Sequence, residues 1–224
     1  MKDMHKARRF ALLLPILGAV LAGYLPALAR VTDHSEVGAR IVADGTAKGA
    51  IACARCHGFD GASDGSGAFP ALVGQPAHYL ANQLKHFASG ERQNAMMESI
   101  AKGLTPAEME SVAEYYASVR ASAIPRRAAS SELVARGAQV ALVGDRDARV
   151  QACVSCHGPS GAGEPPTVPY LAGQYKQYLK VQIQMFQGGY RKSAQMTNVV
   201  HNLTEKDIEA VSAYFDQLPR PTPK

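Results

Sequence analysis

Two five-residue stretches, Cys53-Ala54-Arg55-Cys56-His57 and Cys153-Val154-Ser155-Cys156-His157, decide the fold of this chain. They begin 100 residues apart and contain all four of its cysteines. A C-x-x-C-H stretch is typical of c-type haem attachment, in which the two thiols bond to the porphyrin vinyl groups and the histidine binds the iron. The sequence therefore predicts two covalently attached haem c groups. The attachment residues are Cys53, Cys56, Cys153 and Cys156, and the proximal iron ligands are His57 and His157.

Other uses of four cysteines fit the pattern less well. The cysteine pairs of a zinc site usually lie roughly 15 to 20 residues apart, much closer than these. A thioredoxin-like motif requires a βαβ context, which the surrounding sequence does not offer. Disulfides are an alternative for an exported chain. None of these alternatives explains why a histidine follows both second cysteines.

The first 29 residues differ from the rest of the chain. Four basic residues occur within the first nine, residues 10–28 are mostly apolar, and the stretch ends in Ala27-Leu28-Ala29. This combination predicts a signal peptide over residues 1–29, cleaved after Ala29, and a periplasmic protein. An uncleaved anchor is the alternative, since the apolar stretch is near the lower limit for a membrane span. Peripheral membrane association stays open for the same reason.

Most of the net charge of +5 comes from this leader. It contains four of the 24 Lys and Arg residues and one of the 19 Asp and Glu residues, so the remainder has a net charge of only +2. Haem propionates would bring the loaded protein close to neutral. A nucleic-acid-binding protein needs a concentrated basic surface, and the sequence therefore argues against nucleic-acid partners.

The chain repeats itself. At an offset of 99, residues 70–75 (PALVGQ) match residues 169–174 (PYLAGQ), and the matches continue through Tyr79 with Tyr178 and Arg92 with Arg191. Such internal similarity predicts two copies of one structural unit. The predicted domains are residues 30–121 and 122–224. Residues 121–131, with Pro125 and two arginines, are predicted to be a linker. Those arginines are expected to be solvated, with propionate binding as the alternative.

Each copy is predicted to be helical. Amphipathic segments precede both motifs, at residues 37–43 and 134–143. Pro76 is placed to be the first residue of a second helix that Gly90 ends. Thr105-Pro106-Ala107-Glu108 is a capping box that starts a third, and Thr204 is its counterpart as an N-cap. The Gly- and Ser-rich segments after the motifs are predicted loops. The second is one residue shorter, so the two haems should have different surroundings.

The sixth iron ligand decides whether a haem carries electrons or binds substrates. Five methionines follow the leader, and Met97 and Met196 are the pair that is methionine in both copies. Both precede the last predicted helix of their copy, in a segment predicted to be a loop. They are therefore the predicted axial ligands, because a thioether is a good ligand for haem iron. Filling gaps in the core is the alternative role for a methionine.

Other residues are alternative candidates for the sixth iron ligand. Met96 is adjacent to Met97 and is the competing candidate in the first copy. Bis-histidine ligation would use His78, His86 or His201, but none of these is histidine in both copies. They are expected to lie at the surface or between helices.

With these residues in place, the chain resembles the dihaem class I cytochromes c of the cytochrome c4 type. The resemblance covers nearly all of the chain after the leader, through two C-x-x-C-H-G motifs, two Pro-x-Leu-x-Gly-Gln segments and two segments that run from Gly-x-Arg through Met to Leu-Thr. It implies an all-α protein with two tandem class I cytochrome c haem domains. It also implies that the carbonyls of Pro70 and Pro169 accept the N–H of the proximal imidazoles.

The function implied by this resemblance is electron transfer between respiratory partners, such as a quinol-oxidising complex, a dehydrogenase or a terminal oxidase. With both axial positions filled, the polypeptide would perform no bond chemistry. A dihaem peroxidase or a thiosulfate-oxidising enzyme is the alternative, and would need one iron open to substrate. The third alternative is the cytochrome subunit of a membrane dehydrogenase or oxidase complex.

Overall fold

The computed structural model describes residues 25–120, 126 and 128–221, with side chains described from residue 35 onward. This part of the chain contains helices and isolated β-bridges but no strand, so the all-α prediction is confirmed. The helices are α1 (Leu25–Asp44), α2 (Ala54–His57), α3 (Ala77–Ser89), α4 (Ala95–Lys102), α5 (Pro106–Ser118), α6 (Ser131–Leu142), α7 (Val154–His157), α8 (Lys176–Gln187), α9 (Ala194–Val200) and α10 (Glu205–Gln217).

The two halves of the chain contain the same α-helices in the same order, α1 to α5 and then α6 to α10, and the second half also has a short 3-10 helix at Pro159–Gly161. Each half has a hydrophobic core of its own, built on Val42, Val112 and Tyr116 in the first half and on Val140 and Ile208 in the second. These two cores each contain residues of one half only, and a third, smaller cluster of Ala71, Val73 and Tyr175 joins the halves, so the repeat in the sequence is a repeat of packed units. The predicted limits, residues 30–121 and 122–224, stay predictions.

In each half, the first long helix crosses the last long helix, and a glycine of the first helix lies at the crossing point. A Cβ atom on Gly38 in α1 would lie 2.2 Å from the Ser111 carbonyl oxygen in α5. A Cβ atom on Gly137 in α6 would lie 2.1 Å from the Ala210 carbonyl oxygen in α10. Only glycine allows backbones to approach this closely. The crossing fixes the position of the last helix, which packs behind the C-x-x-C-H turn.

Most predicted helix ends are confirmed. Thr105 and Glu108 form the capping box of α5 with Pro106 in the first turn, and Thr204 caps α10 together with Asp207. Gly90 ends α3 in the left-handed conformation, with φ of 78°. The predicted position of Pro76 is wrong by one residue, because Pro76 is the N-cap and α3 begins at Ala77. An N-cap proline leaves the first helical N–H groups available to other partners.

The predicted loops around Met97 and Met196 are wrong, because both residues lie in short helices, α4 and α9. Asn94 accepts a hydrogen bond from Met97 N at 2.9 Å, and Ser193 accepts one from Met196 N at 3.3 Å. These N-caps satisfy N–H groups that have no partner within a helix. Helices of eight and seven residues are too short to show a clear periodicity in the sequence, and both were missed for that reason.

The two halves contact each other through the segments that follow the motifs. The Gln75 side-chain amide donates to the Tyr170 carbonyl at 2.9 Å, and the Gln174 amide donates to the Ala71 carbonyl at 2.9 Å. The Tyr170 hydroxyl also donates to the Val73 carbonyl. Residues His34–Lys224 accordingly form one compact unit. The segments that follow His57 and His157 therefore face each other across the interface.

The linker prediction is corrected at Arg126, which is half-buried rather than solvated. Its guanidinium donates to the carbonyls of Asp216 and Leu218, at the end of α10, and to the carbonyl of Gly173, in the segment before α8. A cation there satisfies carbonyls that have no partner within the helix. These described contacts are to backbone oxygens, so they give no support to the propionate alternative. Arg127 and residues 121–125 lie outside the described residues.

The predicted leader lies mostly outside the described residues, which begin at residue 25. Helix α1 begins within the predicted leader and is longer than the segment 37–43 that the sequence predicted. Among the described residues, no helix combines the length and the apolar character needed to cross a membrane.

Candidate haem sites

Each C-x-x-C-H stretch forms one helical turn, α2 in the first half and α7 in the second. His57 N donates to the Cys53 carbonyl at 3.0 Å, and the same bond joins His157 to Cys153 at 3.0 Å. Residues three apart in a helical turn lie on one side of it. The turn therefore presents both thiols of a motif on one side and directs the histidine into the protein.

Both motif histidines are buried, with 7% of each residue exposed. His57 Nδ1 lies 3.1 Å from the Pro70 carbonyl oxygen, and His157 Nδ1 lies 2.8 Å from that of Pro169. A carbonyl oxygen only accepts hydrogen bonds, so Nδ1 must be the protonated nitrogen. The other nitrogen, Nε2, then keeps its lone pair for a metal. This is the tautomer that a proximal haem ligand needs.

The protonation equilibrium favours the same state. Burial lowers the pKa of the His57 imidazole, and the bond to Pro70 opposes this only in part. Burial also lowers the pKa of His157, with a smaller contribution in the same direction from the positive charge of Arg191. Because both shifts favour the neutral ring, the imidazoles are preorganised to bind a metal near neutral pH.

The four cysteines are free thiols, so the disulfide alternative is not supported. Burial raises the pKa of the Cys53 thiol to about 11, and that of the Cys153 thiol to about 11. No group of three or more His, Cys, Asp or Glu side chains in the described part of the chain could hold a metal ion. The zinc alternative therefore lacks a site.

The methionines fall into two groups. Met97 packs against the core of the first half, together with Cys53, and Met196 packs against the core of the second half, together with Cys153. Met96 is 55% exposed and does not belong to that core. Met109 is buried in α5 as a core residue. The geometry thus favours Met97 over Met96, and the assignment of Met97 and Met196 as axial ligands remains a prediction.

The remaining distal histidines lie outside the cores that contain the motif cysteines. His78 is exposed and lies 3.2 Å from the amide nitrogen of Asn82. His86 pairs with Glu91 at 3.4 Å near the end of α3. His201 is exposed. None of the three belongs to the core clusters that contain the motif cysteines.

Comparison with known proteins decides the family. The family model for cytochrome c matches residues 36–120 and again residues 134–219. The chain belongs to the cytochrome c family. Two such domains imply two covalently attached haem c groups. The paired thiols and the buried neutral imidazole of each motif fit this group, as does the thioether that packs against the same core.

Two kinds of relative match this cytochrome along most of its length. A protein of Stutzerimonas stutzeri (strain A1501), described as a thiosulfate dehydrogenase electron acceptor, is 35% identical over 87% of this chain and 92% of its own. The solved structure of reduced recombinant cytochrome c4 from Pseudomonas stutzeri is 31% identical, with a TM-score of 0.72 over 83% of this chain and 98% of that one. The cytochrome is therefore a dihaem protein of the cytochrome c4 type.

A third relative is larger. The structure of a thiosulfate dehydrogenase (TsdBA) from Marichromatium purpuratum is 37% identical, with a TM-score of 0.75. The match covers 82% of this chain but only 40% of that one. This cytochrome thus corresponds to less than half of that protein.

The two haem sites differ in the residues behind the proximal histidine. In the first, the His57 ring makes edge contacts with Phe69 and Tyr116, at 6.2 and 6.5 Å between ring centroids. The Tyr116 hydroxyl also donates to the Gly58 carbonyl at 3.0 Å. At the offset of 99, Val168 and Phe215 take the places of these aromatic residues. The two haem sites are thus lined by different side chains behind the proximal histidine, as the prediction of unequal haem surroundings requires.

Replacing Tyr116 with phenylalanine is expected to destabilise the first domain by about 1 kcal/mol, since it removes one buried hydrogen bond and leaves the packing intact. Tyr115→Phe is the matched control: its hydroxyl donates to the Phe59 carbonyl at 2.9 Å in an exposed setting, so the loss should be smaller. Denaturant unfolding of the haem-loaded variants measures both. An equal loss in the two variants would show that the Gly58 contact has no special role.

Several contacts around the sites were not predicted from the sequence. They are the hydrogen bonds of Gln75 and Gln174 across the interface, and those of Arg92 and Arg191. The repeat held a signal for them, because each of these polar residues is identical in both copies. Identical polar residues within a duplicated unit indicate a contact that both copies make.

Proposed function

We propose that this cytochrome accepts electrons from a thiosulfate-oxidising dehydrogenase and passes them to a respiratory acceptor such as a terminal oxidase. The observation that supports this electron donor is the match to an electron acceptor of thiosulfate dehydrogenase, which covers 92% of that protein. The larger thiosulfate dehydrogenase structure, of which this chain matches 40%, points to the same donor.

In this proposal, His57 and Met97 hold one iron and His157 and Met196 hold the other. The haem supplies a one-electron Fe(III)/Fe(II) couple when it is bound. The residues of the chain keep that couple closed to substrates: the Pro70 and Pro169 carbonyls orient the imidazoles, and the caps at Asn94 and Ser193 fix the backbone that bears each methionine. Filled axial positions favour electron transfer over substrate binding.

The donor can be tested with the purified haem-loaded protein and a separately purified thiosulfate dehydrogenase. Thiosulfate alone is expected to leave both haems oxidised, and addition of the dehydrogenase is expected to reduce both. Absorption spectroscopy on a stopped-flow instrument follows the reduction. If thiosulfate alone reduces the haems, the chain is itself a thiosulfate-oxidising enzyme. If the dehydrogenase also fails to reduce them, the proposed donor is wrong.

A second donor is a quinol-oxidising complex, which the match to cytochrome c4 favours through its coverage of 98% of that chain. Here the cytochrome would connect that complex to a terminal oxidase. The two donors are separated by comparing the initial rates of haem reduction by each, at equal concentrations and equal ionic strength. The physiological donor is expected to give the higher rate by many fold.

The periplasmic location and the cleaved leader also belong to this proposal. Their support is the composition of residues 1–29, namely a basic start, an apolar stretch and Ala27-Leu28-Ala29. N-terminal sequencing of the protein from a fractionated cell is expected to begin at Arg30, in the periplasmic fraction. A protein that begins at Met1 and sediments with membranes would instead indicate an anchor and favour a subunit of a membrane complex.

A further inference from the structure

Gln174 of the second domain binds the backbone of the first domain next to the carbonyl that accepts from His57. The Ala71 N–H donates to Gln174 Oε1 at 3.0 Å, and Gln174 Nε2 donates to the Ala71 carbonyl at 2.9 Å. Only 4% of Gln174 and 2% of Ala71 are exposed, so these hydrogen bonds are shielded from water. A buried side-chain amide of one domain thus anchors a residue of the other through both of its backbone groups.

The anchored N–H belongs to the peptide unit that orients the proximal histidine. The Pro70 carbonyl and the Ala71 N–H are the two polar groups of one peptide, and that carbonyl accepts from His57 Nδ1 at 3.1 Å. A peptide unit is planar, so a partner that fixes its N–H also fixes the direction of its C=O. Hydrogen bonds in a chain polarise one another, and donation by the N–H makes the carbonyl oxygen a stronger acceptor. The His57 imidazole is therefore linked to Gln174 through a single peptide.

The second site lacks this link, although the repeat places an equivalent glutamine there. Gln75 Nε2 donates to the Tyr170 carbonyl at 2.9 Å, but Gln75 Oε1 is buried and has no hydrogen-bond partner within the described part of the chain. The Tyr170 N–H, in the peptide whose carbonyl accepts from His157 at 2.8 Å, is thus not bonded to it. Both bonds to the imidazoles have ordinary N–H···O lengths, so the sites differ in what lies behind the acceptor.

The residue after each glutamine accounts for the difference. The Tyr175 N–H donates to Gln174 Oε1 at 3.0 Å, which holds this oxygen in place as the acceptor for Ala71. Pro76 follows Gln75, and proline has no N–H to donate. One glutamine oxygen therefore has a backbone donor of its own chain segment that fixes its direction, and the other has none.

We propose that Gln174 is a positioning residue for His57, through which the second domain lowers the redox potential of the haem in the first. A stronger acceptor at Nδ1 raises the basicity of the imidazole, and a more basic proximal ligand favours Fe(III). Gln75 has no such effect on His157, so this coupling between the domains acts in one direction. The inference rests on His57 as the proximal ligand and not on the identity of the electron donor.

The test is an equilibrium redox titration of the haem-loaded Gln174→Leu variant, with NMR spectra along the titration to assign each potential to its haem. Leucine removes the acceptor for the Ala71 N–H, so the midpoint potential of the first haem is expected to rise and that of the second to stay unchanged. In the fully reduced protein, the resonance of the His57 Nδ1 proton should move upfield as its hydrogen bond weakens, and that of His157 should not move.

Gln75→Leu is the matched control, because it removes the equivalent hydrogen bond between the domains at a residue that is also 4% exposed. That bond is to the Tyr170 carbonyl, which is not part of the peptide that accepts from His157. Both potentials and both Nδ1 resonances are expected to stay unchanged. If Gln75→Leu shifts a potential as much as Gln174→Leu does, the glutamines only hold the domains together and the proposal is wrong.

A further variant, Gln174→Glu, separates loss of the acceptor from loss of packing. A carboxyl group keeps an acceptor oxygen for the Ala71 N–H whether it is protonated or ionised, and a negative charge would itself favour Fe(III). The potential of the first haem should therefore not exceed that of the unmodified protein, and a rise in this variant would overturn the proposal.

Unchanged potentials in Gln174→Leu, or a shift confined to the second haem, would also overturn it. If Gln174→Leu fails to retain both haems, Gln174→Asn takes its place. The asparagine side chain is one methylene shorter and does not reach both backbone groups of Ala71, so the same rise in the first potential is expected. An unchanged first potential in Gln174→Asn would contradict the proposal.

Discussion

Replacing Met97 with alanine is expected to remove the iron–sulfur charge-transfer band of one haem and to leave that of the other. It should also lower the potential of the affected haem by about 0.1 to 0.3 V, a fraction of the roughly 0.8 V range that axial ligands span. The physical reason is that a thioether favours Fe(II) more than the water or amine that would replace it. Absorption spectroscopy of the oxidised protein, followed by a redox titration, measures both effects.

Met96→Ala is the matched control for this prediction, because Met96 is the adjacent methionine and is 55% exposed, whereas Met97 packs against the core. The control should keep both bands and both potentials. Loss of a band in the control and its retention in Met97→Ala would assign Met96 as the ligand. The same pair of measurements on Met196→Ala should affect the second haem alone.

Replacing Gly137 with alanine is expected to destabilise the second domain by about 2 kcal/mol. The new Cβ would lie 2.1 Å from the Ala210 carbonyl oxygen and 2.7 Å from Tyr214 Cβ, so α6 and α10 must move apart. Overpacking of this kind typically costs about 1 to 3 kcal/mol and sometimes more. The gain in helix propensity from glycine to alanine, about 1 kcal/mol, offsets only part of this cost. Denaturant unfolding of the haem-loaded protein measures the net effect.

Ala135→Ser on the same helix is the control, since Ala135 is exposed and its substitution should change the unfolding free energy by less than about 0.5 kcal/mol. Gly38→Ala tests the equivalent crossing in the first domain, where the Cβ would lie 2.2 Å from the Ser111 carbonyl oxygen. If the two glycine variants are as stable as the control, the helices tolerate a wider crossing than the structure shows.

Much of the fold could be predicted because the informative features are local. The capping box at Thr105 and the left-handed position at Gly90 depend on residues within a few positions of each other, so the sequence identifies them directly. Helices α4 and α9 could not be predicted, because they are short and are held by N-caps rather than by a long apolar face. Arg126 was misjudged, because its carbonyl partners at Gly173 and Asp216 are distant in sequence.

For the candidate haem sites too, the sequence predicted some residues and left one choice to the tertiary structure. The motif cysteines and histidines were predicted from one five-residue pattern, and the repeat singled out Met97 and Met196. The sequence left Met96 open, because adjacent residues share the same local pattern. Burial separates them in the structure, where Met97 packs with Cys53 and Met96 is exposed. Which of two neighbours faces the core depends on the direction of a helix, and tertiary packing sets that direction.

By itself, the sequence determined that this protein has two haem attachment sites in two copies of one helical unit, because covalent attachment requires a fixed local spacing of thiols and imidazole. Only the tertiary structure decided how the copies meet. The interface buries Arg92 and Arg191 from opposite copies against Gln83 and Gln182, and it exchanges hydrogen bonds between residues about 90 to 110 positions apart. Such contacts leave no local pattern, since their geometry exists only after both halves have folded and docked.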